Sequence, residues 1–321
     1  MVAFGQELIM ARDNYYDRFK KNKSPKLKKF RRRTEYYFVL IIIFFASLWP
    51  VRINQFFGAF LGRLAYYLMP KDRGIGLYQL GFCFPELTER ERQSTLKKSF
   101  QSLGQSLFEM LCIKKIRKNP DKWIKMSNEN VLLNAYQEGK GVILLFGHVG
   151  NWELIPTMND MLEIPGIAIG SPLDDEKLDE LLINCRKTKQ MRMIPRKGNI
   201  PTKAILNCFR NNELISLSID QDTRVKSVFC DFFGKKAATP IGPVTFGQKF
   251  GAPVISAFGA RMKDGTHYCR FELLSKAPYQ GGKEEIEKLT QVYTTAFEKH
   301  IRQYPDQWAW FHRRWKTQPS E

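Results

Sequence analysis

The feature that most constrains the fold is a short apolar run that ends in a glycine loop. Residues 141–153 read GVILLFGHVGNWE, in which five consecutive apolar residues precede Gly147 and His148. A strand without polar alternation is buried on both faces, and such strands belong to parallel sheets covered by helices. The run therefore predicts an α/β fold in which His148 follows a central strand.

Helical and strand patterns alternate along the rest of the chain. A capping box at residues 88–91 precedes a long amphipathic helix, and a last long helix ends before Pro305. Asp174 or Asp175 is predicted to cap one further helix, and Pro201 lies in the first turn of another. The remaining strand candidates are residues 214–219, 253–262 and 268–274. This alternation predicts a mostly parallel central sheet flanked by helices.

The N-terminal third contains a basic block followed by apolar residues. The pattern predicts a basic cytoplasmic arm over 1–35, a hydrophobic membrane-associating segment over 36–70 and a catalytic domain over 71–321. The first apolar run, 36–49, is shorter than the roughly 20 residues that cross a bilayer, and a second follows at 56–69. The sequence leaves three placements of these apolar runs open: a strained spanning helix, a helical hairpin inserted into one leaflet, or a buried helix. The basic residues and the aromatic ends of the first run favour the membrane.

The composition limits the kinds of partner that the protein attracts but does not identify one. The 321-residue chain has 51 Lys and Arg against 32 Asp and Glu, a net charge of +19, which attracts anionic carriers, phosphorylated ligands, nucleic acids or membranes. Six widely spaced Cys residues and no cleavable secretory signal predict reduced core thiols in a cytosolic compartment. The sequence contains no serine-hydrolase elbow, phosphate-binding loop, zincin motif or dinucleotide fingerprint.

His148 and Glu153 are the candidate catalytic pair. Carboxyl ends of parallel strands are where α/β proteins bind ligands, and Gly147 and Gly150 leave open backbone around the histidine. Asn151 is expected to cap the helix that begins at Trp152. The arrangement suits acyl transfer, with His148 as the base that deprotonates an acceptor hydroxyl and Glu153 as the group that orients it. The alternative is a loop histidine bonded to backbone beside an unrelated surface glutamate.

Four ordered blocks carry a family resemblance. GHVGNWE resembles the catalytic block of the bacterial lipid A biosynthesis (lauroyl/myristoyl) acyltransferases, within the lysophospholipid acyltransferase superfamily. FCFPELTERER at 82–92 resembles the segment before that family's first long helix, and residues 220–254 resemble its central region. YPDQWAWFHRRWK at 304–316 resembles its C-terminal signature, whose aromatic residues are expected either to anchor in the membrane interface or to pack on the core.

The resemblance implies His148 and Glu153 as catalytic residues and further residues that bind substrate. Arg186 is expected to bind a phosphate or the donor carbonyl, unless it is a solvent-facing residue of a charged helix. Arg261 either binds the anionic ligand or forms an ion pair at a strand end.

Four more substrate-binding residues are predicted. Asp220 and Gln221 either contact the sugar acceptor, tie down the catalytic loop or form only a turn after a strand. Gly150 and Asn151 are expected to meet the substrate at the catalytic loop. No metal and no cofactor are expected.

The expected function is transfer of a fatty acyl chain from acyl carrier protein to a hydroxyl of a lipid A precursor, late in lipopolysaccharide biosynthesis. The expected location is the inner membrane with the catalytic domain on the cytoplasmic side, and no nucleic acid partner is expected. A related acyltransferase that uses acyl-CoA, or another glycolipid, aminolipid or lysophospholipid, is the first alternative. A non-catalytic, basic, membrane-tethered binding protein is the second.

Overall fold

The structure is a computed structural model that describes residues 25–196, 200–223 and 225–319. The side chains of residues 25–32 and 35 are not among those described. The predicted basic arm therefore lies largely outside the described residues.

A seven-stranded sheet forms the centre of the fold, in the order β1-β9-β8-β2-β5-β3-β4. Strands β8, β2, β5, β3 and β4 are parallel, whereas β9 pairs antiparallel to β8 and parallel to β1. The strands of this sheet are β1 Ile124–Ser127, β2 Val142–Phe146, β3 Gly166–Gly170, β4 Met191–Pro195, β5 Leu214–Ser218, β8 Val254–Arg261 and β9 His267–Ser275. A separate antiparallel hairpin consists of β6 Ser227–Phe232 and β7 Lys235–Pro240.

Helices cover the sheet. They are α1 Pro25–Leu48, α2 Val51–Leu68, α3 Pro70–Cys83, α4 Glu89–Leu111, α5 Ile113–Lys118, α6 Pro120–Trp123, α7 Glu129–Gln137, α8 Ile155–Met161, α9 Glu176–Arg186, α10 Ile200–Arg210, α11 Gly242–Phe250 and α12 Gly282–Gln303. Short 3-10 turns occur at Trp152–Leu154 and Pro305–Gln307.

Strand β2 is buried on both faces, as the apolar run predicts. Leu144 packs into the apolar cluster that contains Ile155 and Met158 of α8. Ile143 and Leu145 point the other way, into the cluster shared with α10, α11 and α12. A strand of this kind needs apolar residues at every position because neither face meets water.

Most predicted element boundaries are confirmed. Thr88 caps α4 through the expected capping box, in which the Glu91 carboxylate accepts from the Thr88 backbone at 2.8 Å. Asp175 caps α9 through two backbone N–H groups. The last long helix, α12, ends at Gln303, two residues before Pro305. Strands β1, β3, β4, β6 and β7 were not predicted, because they are short and lack a long apolar run.

Helix α2 is packed with its small and polar side towards the protein. Its buried residues include Asn54, Gln55, Gly58 and Gly62, which lie at helical spacing along one face. Added Cβ atoms at the two glycines would overlap the backbone of α4, so glycine permits the close approach of the two helices. The opposite face is strongly apolar and exposed.

No helix within the described residues is both long and apolar enough to cross a membrane. Helix α1 reaches back to Pro25, so its 24 residues combine basic residues with the apolar run.

Candidate active site

His148 and an aspartate meet because they follow adjacent parallel strands. Phe146, at the end of β2, is in register with Ser218, at the end of β5. His148 and Asp220 each lie two residues farther along, so the two loops leave the sheet side by side. His148 Nδ1 lies 2.8 Å from Asp220 Oδ1.

Asp220 is fully buried and each of its oxygens is used. Oδ2 accepts from the backbone N–H of His148 at 2.6 Å and from the indole N–H of Trp308 at 2.9 Å. Burial alone would raise the pKa of Asp220, but the charge and hydrogen bonds of His148, with the Trp308 bond, outweigh it and lower the pKa to about 2. An ionised Asp220 accepts a hydrogen bond from the Nδ1–H group, which leaves Nε2 as the basic nitrogen of the ring.

The carboxylate that bonds to Nδ1 is therefore that of Asp220, which differs from the expectation that Glu153 contacts and orients His148. The Glu153 carboxylate instead accepts two hydrogen bonds from Arg186, 2.6 Å from Nε and 2.5 Å from Nη2. Arg186 lies at the end of α9, and this paired geometry fixes its guanidinium at the cavity wall. Although burial alone would lower the pKa of Arg186, the bond and charge of Glu153 raise it.

An apolar cavity of about 640 Å³ opens beside His148. On the α8 face of the sheet its wall includes Phe146, Trp152, Ile155 and Ala168. The wall continues around the ends of β5 and β3 to residues of α10, α11 and α12. A volume in this range holds an organic ligand and not only water.

Aromatic side chains shape the surroundings of the histidine. The His148 and Trp152 ring centroids lie 4.7 Å apart with an interplanar angle of 63°. The ring centroid of Phe146 lies 5.9 Å from that of His148. The His148 side chain is 15 % exposed, so the ring is sheltered but reachable.

Two predicted substrate-binding residues, Arg186 and Gln221, line the cavity. Gly150, by contrast, packs against β8, since an added Cβ would lie 3.1 Å from the Cα of Ala260. Its positive φ of 63° and this close approach explain the glycine better than access for a substrate does. Asp220 ties down the catalytic loop, which is one of the roles considered for it.

Asn151 and Arg261 belong to a buried polar cluster behind the loop, and neither lines the cavity. Asn151 Oδ1 accepts from the Glu153 backbone N–H at 3.0 Å, so it caps the turn as predicted. Arg261 forms an ion pair with the fully buried Glu109 of α4, which is the strand-end ion pair considered above. Burial alone would raise the pKa of Glu109, but His267 and Arg261 outweigh it and hold the pKa below its usual value.

The C-terminal block contains no α-helix, and its tryptophans pack on the core. Trp308 and Trp310 are buried. After the 3-10 turn at Pro305–Gln307, the backbone as far as residue 319 follows irregular turns. The Ala309 N–H donates to the His148 carbonyl at 3.2 Å, and Val149 pairs with Trp308. Although the aromatic residues recur at regular spacing in the sequence, the segment forms no α-helix and instead pairs with the loop that carries His148.

Three residues of the site were not predicted from the sequence: Glu109, Trp152 as a neighbour of the imidazole, and Gln307. Gln307 accepts from the Arg261 N–H at 2.7 Å, and its backbone carbonyl accepts from the Gly150 N–H at 3.2 Å. A single glutamate among the apolar positions of α4 was the one available signal for Glu109.

A histidine whose Nε2 is the basic nitrogen, set at the mouth of an apolar cavity, is suited to proton transfer to or from a bound ligand. Residues 21–317 match the family model described as bacterial lipid A biosynthesis acyltransferase. The chain belongs to this family and is an acyltransferase.

Curated relatives agree over most of the length. The lipid A biosynthesis lauroyltransferase of Escherichia coli K12 is 28 % identical over 276 residues, which cover 84 % of this chain and 88 % of the relative. The lipid A biosynthesis palmitoleoyltransferase of the same organism is 24 % identical over 84 % of this chain and 87 % of its own. A phosphatidylinositol mannoside acyltransferase of Mycobacterium tuberculosis H37Rv is 23 % identical over 58 % of each chain.

Proposed function

We propose that the protein transfers a fatty acyl chain from the thioester of acyl carrier protein to a hydroxyl of a lipid A precursor at the surface of the inner membrane. The observation that carries this proposal is the His148–Asp220 pair at the mouth of the apolar cavity.

The pair supplies the base that the reaction needs. His148 Nε2 takes the proton of the acceptor hydroxyl while its oxygen attacks the thioester carbonyl carbon. The tetrahedral intermediate then collapses, the carbon–sulfur bond breaks, and the imidazolium returns the proton to the leaving thiolate. Asp220 holds the tautomer and stabilises the imidazolium.

Arg186 is the proposed anion-binding group of the site. Glu153 uses Nε and Nη2, which leaves Nη1 for an anionic oxygen of the substrate. Such an oxygen belongs either to a phosphate or to the carbonyl as it becomes an oxyanion. Glu153 acts on this view through Arg186, by fixing the direction of the guanidinium.

The cavity is the proposed binding site for the donor acyl chain. Its wall is mostly aliphatic and aromatic, and it also carries the polar side chains of His148, Glu153 and Arg186. A wall of this composition suits a fatty thioester, whose chain is apolar and whose reacting group is polar.

Association with the membrane is supported by the exposed face of the N-terminal helix pair. In α1 and α2 large apolar side chains are exposed while small and polar ones face the protein, the reverse of an ordinary surface helix. The exposed residues are Tyr37, Phe38, Ile41, Phe44, Phe45, Leu48, Ile53, Phe56, Phe57, Phe60, Leu61, Leu64, Tyr67 and Leu68. We propose that this face lies in one leaflet and that the net charge of +19 attracts anionic lipid and the acidic carrier.

The function is tested with purified protein, acyl carrier protein loaded with fatty acid, and a lipid A precursor in mixed micelles. Mass spectrometry is expected to find a product heavier by one acyl group, and His148→Ala is expected to abolish it while the protein remains folded. Equal product from the wild type and His148→Ala would overturn the mechanism. No product with the precursor, but product with a phosphatidylinositol mannoside, would overturn the acceptor and retain the acyl transfer.

Membrane association is tested separately by flotation with vesicles that contain anionic phospholipid. Replacing Phe56, Phe57 and Phe60 together by Ser is expected to reduce the bound fraction, because all three are exposed on α2. A control variant replaces Leu273 and Val292, which are exposed elsewhere on the protein, by Ser as well. It is expected to bind the vesicles as the wild type does. Equal loss in both proteins would refute the proposed membrane face.

A further inference from the structure

The buried carboxylate of Glu109 has two differently occupied oxygens. Oε1 meets Gln55 Nε2 at 2.7 Å, His267 Nε2 at 3.1 Å and the guanidinium of Arg261. Oε2 accepts a single bond, from Asn151 Nδ2 at 2.6 Å. One oxygen is therefore anchored in the core, and the other reaches the catalytic loop.

Asn151 transmits this contact to the site. Its amide nitrogen donates to Glu109, and its amide oxygen accepts from the Glu153 N–H at 3.0 Å. The orientation of the amide is therefore fixed by its bond to Glu109. Reversal would turn an N–H group towards another N–H group at Glu153, and the cap of the turn that carries Trp152 and Glu153 would be lost.

We propose that Glu109 is a positioning residue of the acyl-transfer site, which acts through Asn151 to set the turn that carries Trp152 and Glu153. The inference rests on the proposed function for its kinetic test. Glu109 and Asn151 are each at least nine-tenths buried and neither lines the cavity, so neither is a substrate-binding residue in this arrangement. Their influence on the reaction passes through Trp152 beside His148 and through the Glu153–Arg186 pair.

Glu109→Gln tests this connection with little change in shape. The new amide is expected to place its oxygen at the Oε1 position, because Arg261 and Gln55 both donate there. Its NH2 group then faces Asn151 Nδ2, so two donors oppose each other. If the Asn151 amide reverses to relieve this opposition, the cap on Glu153 is lost. Asn151→Asp alone instead opposes two carboxylates across the same contact.

The combined variant Glu109→Gln with Asn151→Asp restores the pattern. The Gln NH2 donates to one Asp oxygen, the other Asp oxygen accepts from the Glu153 N–H, and the total charge is that of the wild type. Each single variant is expected to lower kcat about ten- to hundredfold with KM within about twofold, and the combined variant is expected to recover kcat to within about threefold of the wild type.

Gln55→Met is the control for loss of stability. It removes one bond to Oε1 and leaves the Asn151 contact intact, so kcat is expected to remain within about threefold while the melting temperature falls. If Gln55→Met lowers kcat as much as either single variant at an equal loss of melting temperature, the role is only structural. A combined variant no more active than the single ones would likewise overturn the proposal.

Hydrogen exchange of the peptide 147–155 gives a readout that does not depend on the reaction. Faster exchange is expected in both single variants, with recovery in the combined variant and wild-type exchange in Gln55→Met. If the wild type shows no acyl transfer, the proposed function fails while this exchange pattern still decides the positioning role. Unchanged exchange in the single variants would overturn it.

Discussion

Replacing Asp220 by Asn is the sharpest single test of the catalytic pair. Two N–H donors, from the His148 backbone and Trp308, meet Oδ2, whereas Oδ1 meets the His148 ring. The oxygen of an asparagine is therefore expected at the Oδ2 position, and its NH2 group faces Nδ1. Nδ1 then becomes the acceptor and the ring proton moves to Nε2, which can no longer accept a proton from the hydroxyl.

The expected loss of kcat is on the order of 10³-fold or more, by analogy with the wrong tautomer in hydrolase triads. Stability also changes. The pKa of Asp220 falls from 3.8 to about 2 in the folded protein, which corresponds to roughly 2 to 3 kcal/mol of stabilisation at about 1.4 kcal/mol per tenfold change. Because the folded pKa is the lower one, this stabilisation is present above about pH 4 and is lost as the pH falls towards 2.

The assay is steady-state acyl transfer at neutral pH, accompanied by 15N chemical shifts of the imidazole to report the tautomer. Asp222→Asn is the matched control, since that carboxylate is also buried but accepts from Thr317 and not from His148. Its kcat is expected to remain within about threefold of the wild type. If Asp220→Asn retains a kcat similar to that of Asp222→Asn, the assignment of Asp220 is refuted.

Four further outcomes are expected. Arg186→Lys raises KM about tenfold in steady-state kinetics, because lysine cannot form the paired bonds that direct the guanidinium; an unchanged KM would contradict the role. Ala168→Phe fills part of the cavity and shifts the preference towards shorter acyl donors in a competition assay, and an unaltered preference would remove the cavity as the chain site. Burial lowers the pKa of His300 to about 4 against an ordinary 6.5, so the free energy of unfolding decreases by up to about 3 kcal/mol as the pH falls from 6.5 to 4. Denaturant melts at both pH values are expected to lose this difference in His300→Gln. Gly62→Val forces α2 away from α4 and costs about 1 to 3 kcal/mol in thermal melts, whereas Gly74→Ala, with no heavy atom within 4 Å of the added Cβ, is expected to be neutral or stabilising.

Local patterns were sufficient for much of the fold. The capping box at Thr88, the buried strand before His148 and the cap at Asn151 are all decided by residues within a few positions of each other, and each is confirmed. The short edge strands β3 and β4 and the hairpin β6–β7 lack such patterns, because their burial depends on neighbours that are distant in the sequence.

The candidate site was predicted only in part, for the same reason. His148 follows its strand as expected, but its predicted partner was Glu153, five residues away, on the context of the loop and on the family resemblance. The residue that binds Nδ1 is Asp220, and the distance of 72 positions between them is closed by the parallel pairing of β2 with β5. Glu153 pairs with Arg186 because α9 brings a guanidinium to the same rim of the cavity.

What the sequence determined by itself was the class of fold, the position of His148 after its strand and the apolar character of the N-terminal helices. These follow from hydrophobic periodicity and from short-range hydrogen bonds, which neighbouring residues decide. Only the tertiary structure decided that Asp220 is the carboxylate bonded to His148 and that Glu109 is buried behind the loop. It also decided that the C-terminal tryptophans pack against this loop. Those choices depend on strand order and helix packing, which place charges together irrespective of their separation along the chain.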